Sequence, residues 1–467
     1  MGNIRRFIVG LILVTSAALF FMPPIGGVDG EILRASGLVL FAIGFWATGA
    51  LPEYLTALIF ILIATISDVA PATVVFSGFL SKALWLVFGG LILAVAVRET
   101  GLGQRLAHGL LSFFGTSYLG IISGIVLLAM LTAFFVPSTM GRVLLIVPVV
   151  SAMADRLGFQ EGSPGRTGMV IAATMGSFAP SCAVLPANVP NMVLAGAAES
   201  LHNLTFRYGS YLKFHYPVLG FLKGLTIVIL TRFLFPDRIR SAPSVNHQTP
   251  KPFSAQERLL TFVLAGTLLL WGTDFLHGVS PAWVALAAAL VCMFPFAGLF
   301  PSGPFRGGMN LSPFFYVAGF LGVVALVAKA GIGDILGEEL LALIPFERGH
   351  DLRNFVSLTL LSTAISPVTT AAGIPAVMIP PAADISAATG FPLVTVVMTQ
   401  VFGIANLLLP YQVPPVLVGL QVGGVSTTRA ARLTLPLAAV SIVILMPINY
   451  LWWHLLGVFD PAPMVAP

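Results

Sequence analysis

The chain has 467 residues, of which 57 % are hydrophobic and only 9 % charged. A water-soluble domain carries about 25 % charge, so this composition excludes a protein whose surface faces mainly water. Two cysteines, Cys182 and Cys292, each inside an apolar stretch, exclude a disulfide framework or cysteine metal site, and the net charge of +5 includes no Lys/Arg stripe that would track a nucleic acid.

Runs of about 20 apolar residues, the length a helix needs to cross a bilayer, recur along the chain. They are continuous and rich in Leu, Ala and Gly, unlike the alternating segments of about 10 residues in a membrane barrel. An all-α polytopic membrane protein is therefore expected, surrounded by a lipid bilayer. In chain order the expected spans cover 7–23, 33–49, 52–70, 81–108, 167–198, 216–235, 257–276, 281–300, 312–344, 393–422 and 433–457. The first follows Arg5 and Arg6 and carries no small-residue cleavage pattern, so it reads as a span and not a signal peptide. Two further stretches, 117–157 and 352–388, are interrupted at Pro137-Ser138-Thr139 and at Ser366-Pro367. Each reads as a re-entrant helical hairpin, because backbone freed inside a membrane has to be buried in protein or line a wet cavity.

Charge bias orients the chain. With the N-terminus cytoplasmic, Arg98, Arg105, Arg156, Arg166, Arg238, Arg240, Lys251, Arg258, Arg306, Arg429 and Arg432 fall inside, as the positive-inside rule requires. Arg207, Lys213, Arg348 and Arg353 fall outside. The polar stretch 236–256 reads as a cytoplasmic linker between two halves, 1–235 and 257–467, in a cell (inner) membrane.

The halves resemble each other. Val87–Gly103 reads VFGGLILAVAVRETGLG and Val317–Gly333 reads VAGFLGVVALVAKAGIG, an offset of 230 residues. At that offset Pro137 falls on Pro367 and Thr139 on Thr369, and further on LPANVP (Leu185–Pro190) matches LPYQVP (Leu409–Pro414). Spans four and nine run in opposite directions on this count, so an inverted repeat is expected, with broken helices near the midplane as in secondary transporters.

The chemistry is expected at four breaks: the two hairpin tips and the proline-opened helices at 180–191 and 409–415. Paired prolines remove N–H groups and open a helix. The N–H end so created suits an anion, and the carbonyl end, helped by hydroxyls, suits a hard cation. Substrate ligands are expected among Ser138, Thr139, Arg142, Asn188, Pro190, Thr369, Thr370, Gln412 and Pro414, with Asn191 as a further amide. Sodium ligands are expected among Ser138, Thr139, Asn188, Ser366 and Thr369. Arg142 is the leading intramembrane charge; it would pair with an anion or replace a coupling cation. Arg98, Glu99, Lys329, His108 and His454 read as interfacial, and Glu53 as a span boundary. The chain shows no P-loop, nucleophile elbow or acid–base dyad, so neither ATP-driven transport nor an enzyme is expected, and no organic cofactor.

These features together, with LPE at 51–53, ALWLVFGGLILA at 83–94, two hairpins and two opened helices, resemble the divalent anion–sodium symporter family of solute carrier family 13-like permeases over nearly the whole chain. The resemblance implies an elevator-type homodimer, with scaffold spans and a mobile transport domain, moving a di- or tricarboxylate with Na⁺. The family's Ser-Asn-Thr tips are altered here: Ser138 is followed by Thr139 and Met140 with Arg142 kept, and Ser366-Pro367-Val368 stands at the second tip. Coupling to Na⁺ or H⁺ is expected, with an inorganic oxyanion (sulfate, phosphate, arsenite) permease or a cation/proton antiporter of related fold as the alternatives.

Overall fold

The computed structural model describes residues 3–24, 29–106, 109, 117–239, 252–300, 303 and 309–460. Arg240, Lys251, Arg306, His108 and most of the expected linker lie outside the described residues. Every regular element among the described residues is helical. Short polar side chains start the helices by taking a terminal N–H that lipid would leave unpaired. Ser81 caps Lys82–Thr100, Ser117 caps Tyr118–Phe135 and Ser163 caps Pro164–Phe178. Ser254 and Glu257 form a reciprocal capping box on Ala255–Gly272.

By length and composition, six described helices can each cross a membrane, or seven if the pair Ala371–Met378 and Ala382–Thr389, bent by 71°, is one span. The eleven expected spans are thus of several kinds. Expected spans 52–70 and 281–300 contain shorter helices, Glu53–Ile66 and Pro281–Met293. Expected spans 81–108 and 312–344 are not single helices: Lys82–Thr100 and Ser312–Lys329 end just before Gly101 and Gly331, both left-handed with φ 77° and 72°. A left-handed glycine ends a helix without a Cβ clash, so both expected spans are corrected to helices that stop at their Gly-x-Gly motifs. The span expected at 216–235 begins earlier, as Tyr208–Leu234, and that at 433–457 as Thr427–Leu455. Both include a π-helical segment, Tyr216–Leu222 and Ser441–Leu445.

Two groups of helices, each drawing on both halves of the chain, are joined by Val189–His202, which packs on both Ser312–Lys329 and Lys82–Thr100. In one, Lys82–Thr100 lies on Pro281–Met293 and Glu53–Ile66 lies on Ser312–Lys329. In the other are the two hairpins, the two opened helices and the long spans Tyr208–Leu234 and Thr427–Leu455. The groups meet closely at Gly90, where a Cβ would stand 2.7 Å from the Pro137 ring of the first hairpin tip.

Within the second group, Leu393–Ala405 packs on Asp351–Thr369 across Gly403, where a Cβ would lie 2.5 Å from the Ser362 carbonyl carbon. Alanine is the better helix former by about 1 kcal/mol, yet overpacking against backbone costs about 1–3 kcal/mol. Gly403→Ala is therefore expected to lower the thermal unfolding temperature of the purified protein; a rise would show that this helix pair yields freely.

Candidate functional site

The first hairpin consists of Tyr118–Phe135 and Thr139–Arg156, joined through Val136, Pro137 and Ser138. Ser138 is the N-cap of the second helix, its hydroxyl accepting the Gly141 N–H at 3.1 Å. The first opened helix is Pro164–Phe178, then the 3₁₀ turns Pro180–Ala183 and Leu185–Ala187, then Val189–His202. Asn188 caps the last of these by accepting the Asn191 N–H at 3.0 Å, and its own amide donates to Ser181 Oγ at 3.4 Å. Pro190 follows in the first helical turn, where its missing N–H costs nothing.

Arg142 ties these two breaks together. It is fully buried. Its Nη1 donates to Val136 O at 2.6 Å and Ala187 O at 2.9 Å, and its Nη2 to Ser177 O at 2.7 Å and Thr139 Oγ1 at 3.1 Å. Val136 and Ser177 stand at the C-terminal ends of their helices, where unpaired carbonyls carry partial negative charge. The guanidinium therefore fills a cage of oxygens contributed by the tip and by the opened helix. Its terminal nitrogens are fully used there, and only Nε has no hydrogen-bond partner among the described residues.

The second half also has a hairpin and an opened helix, with different chemistry. Asp351–Thr369 runs through Ser366 and Pro367, which corrects the break expected there. Proline so near the end removes only one of the last backbone bonds, and the Thr370 N–H closes the final turn on Ser366 O at 2.9 Å. The chain breaks at Thr370, with φ 75° and ψ 166°, a conformation that is nearly glycine-only and that clusters at functional sites. The second opened helix is Leu393–Ala405, the 3₁₀ turn Pro410–Gln412 and then Pro414–Val422, with Pro414 as its first residue. Gln412 joins hairpin to break: its amide donates to Ser366 Oγ at 2.6 Å, and its carbonyl accepts the N–H groups of Leu408 and Leu409 at 2.9 and 2.6 Å. Tyr411 donates to Pro367 O at 2.8 Å. Thr369 is turned back on its own helix, donating to Ile365 O at 3.2 Å.

The two half-sites cross over. Thr139–Arg156 packs on Pro414–Val422, and Val189–His202 packs on the second tip, Ala371–Gly373. Thus Ser138, Thr139, Arg142, Asn188 and Pro190 gather at one break, and Ser366, Thr369, Thr370, Gln412 and Pro414 at the other, with each tip beside the other half's opened helix. Two further residues belong here. Gln400 and Asn406, in and just after Leu393–Ala405, are fully buried, and neither amide atom of either one has a hydrogen-bond partner among the described residues. A lone amide in an apolar run is the signal that would have found Asn406 in VFGIANLLLP. No group of three or more His, Cys, Asp or Glu that would hold a metal ion occurs among the described residues.

Comparison with known proteins agrees with this architecture. The model of the family described as "Sodium:sulfate symporter transmembrane region" matches residues 5–459. Inner membrane protein YbhI of Escherichia coli K12 is 26 % identical over 374 residues, 76 % of this chain and 77 % of that protein. The L-tartrate/succinate antiporter of the same strain is 24 % identical over 404 residues, 80 % of this chain and 79 % of that one. A protein of Cupriavidus necator called "Membrane protein" is 25 % identical over 289 residues, and this chain spans just over half its length, 56 %. The crystal structure of the Alcanivorax borkumensis YdaH transporter superposes with a TM-score of 0.56 at 14 % identity, over 98 % of this chain and 99 % of that one, which shows a shared fold. This chain belongs to the sodium:sulfate symporter family of membrane transporters and is not an enzyme.

Proposed function

We propose that the chain is a secondary carrier of a small organic anion, a di- or tricarboxylate, coupled to Na⁺ or H⁺. The crossed breaks form its binding site near the midplane of an inner membrane. The hairpins and opened helices move as one body against the remaining spans, in an elevator mechanism within a homodimer whose halves are inverted repeats.

The observation that carries this reading is the buried Arg142, with its charge held in a cage of carbonyls between a hairpin tip and an opened helix. Such a cage is what a coupling cation would need. Arg142 stands in it as a fixed cation, and it supplies a positive field that favours an anion beside the helix N-termini at Asn188 and Ser138. In the second break the Asn406 amide is unpaired and open to the substrate or to a coupling Na⁺, beside Thr370 and the internally bonded Ser366, Thr369 and Gln412. The antiporter relative, named for tartrate and succinate, supports dicarboxylates. The family description supports sulfate as a second reading.

The test is competition for uptake into proteoliposomes: succinate, tartrate and citrate are expected to compete with one another more strongly than sulfate does. Stronger competition by sulfate would move the assignment to an inorganic oxyanion. Asn406→Leu probes the site itself. Removing an amide that makes no internal bond leaves the fold intact, so thermal stability is expected to hold while the half-saturating concentration of anion or Na⁺ rises at least about tenfold, the loss of one good polar contact. Unchanged kinetics would remove Asn406 from the site.

A further inference from the structure

Lys223 is the one buried amine among the described residues, and it lies outside both breaks. It lies in the long span Tyr208–Leu234, immediately after the π-helical segment Tyr216–Leu222. At 1.5 Å per residue it stands roughly 22 Å from one end of that span and roughly 16 Å from the other, so it is placed near the bilayer centre. It is fully buried, and its Nζ has no hydrogen-bond partner among the described residues. The ring of Phe402, on the first arm of the second opened helix, is 5.9 Å away. The preceding π segment packs on Pro180–Ala183 of the first break, and the Cys182 thiol there lies within electrostatic reach of both Lys223 and Arg142.

The elements packed most closely against 216–234 are 118–135, 164–178, 180–183 and 427–455, with 393–405 adding the Phe402 ring, and none of them carries an Asp or a Glu. Apart from groups at the element ends, the titratable groups on this span and these elements are Cys182, His215, Tyr211 and Tyr216, and His215 is turned to Met398 Sδ at 3.2 Å. Tyr118, Arg166, Lys213, Arg232, Arg429, Arg432, Tyr450 and His454 sit toward the ends of these elements. A buried ammonium without a counter-charge is costly, and none of these packed segments supplies one. An anion bound between the breaks would supply it.

We propose that Lys223 is a proton-binding site linking anion transport to H⁺, which rests on the anion-carrier reading and names its coupling ion. As the anion enters, the Nζ lone pair takes one H⁺ from a hydronium ion of the bathing water, whose O–H bond breaks as the N–H bond forms. On the other side the anion leaves, that N–H bond breaks and the proton returns to water. The empty carrier then travels back with an uncharged amine. No other bond changes, and no electron is transferred.

The test uses the full chain in proteoliposomes loaded with a pH-sensitive dye, with succinate, tartrate and sulfate each offered outside. Wild type is expected to acidify the lumen as it takes up anion, about one H⁺ per anion for a single titrating site, with uptake raised several-fold by acid outside. Lys223→Met is expected to lose the acidification and the acid stimulation while anion-for-anion counterflow persists. Lys223→Arg, permanently charged, is expected to lose both as well, and Lys223→Gln serves should the methionine variant fail to insert. Acidification by Lys223→Met equal to wild type overturns the proposal, as does wild-type anion uptake without proton movement, and either result leaves the anion-carrier reading standing. Failure of wild type to move any of these anions overturns both.

Discussion

Arg142→Ala is expected to reduce anion uptake in Na⁺-free medium to background while the protein still inserts in the membrane. The substitution strips donors from Val136 O, Ser177 O, Ala187 O and Thr139 Oγ1 at once. Each buried acceptor left unsatisfied costs roughly 1–3 kcal/mol, so the tip and the opened helix should separate or admit water. Stability falls with activity for that reason. High Na⁺ is expected to restore part of the thermal stability, because a hard cation fits the vacated cage of oxygens, whereas choline at equal ionic strength should not. Arg142→Lys keeps the charge and has too few donors in the wrong geometry to hold the same partners, so intermediate uptake is expected. Normal uptake by the alanine variant would remove Arg142 from the site.

Gln412→Ala is expected to be nearly as damaging in the other half. The single side chain bridges Ser366 of the hairpin and the two N–H groups that open the second break. Its loss should cost about 1–3 kcal/mol in unpaired groups and lower uptake at least about tenfold, since a small misplacement of binding groups has a large kinetic effect. Gln412→Glu is the informative control. The carboxylate still accepts the Leu408 and Leu409 N–H groups and can take the Ser366 hydroxyl as a donor, so stability should be close to wild type. Its charge repels an anion, so affinity should still fall. Recovery of both stability and uptake by Gln412→Glu would place the anion away from this break.

Much of this was legible in the chain because proline and glycine act locally. The first tip at Pro137-Ser138, both opened helices and the Gly101 and Gly331 helix ends all announce themselves through residues that lose an N–H or tolerate a left-handed backbone. The second tip was misplaced because Pro367 is the more visible breaker, while Thr370 adopts its conformation only under tertiary constraint. The partners of Arg142 were not legible, because three of the four are backbone carbonyls, which no pattern of side chains reports. Gln400, Asn406 and Lys223 were overlooked for the opposite reason: each is one polar residue in a long apolar run, and average hydropathy hides it. The start of Tyr208–Leu234 was missed because Lys213 and His215 lower the hydropathy of YGSYLKFH. The crossing of each tip onto the other half's opened helix lies between residues far apart in sequence, and nothing local encodes it.

Uptake of radiolabelled succinate into proteoliposomes containing only this protein, with unlabelled dicarboxylate inside and Na⁺ absent, tests the central claim most directly. The fixed cation at the first break predicts counterflow that unlabelled tartrate inhibits and that Arg142→Ala abolishes. No counterflow of any di- or tricarboxylate, or counterflow untouched by Arg142→Ala, would contradict it.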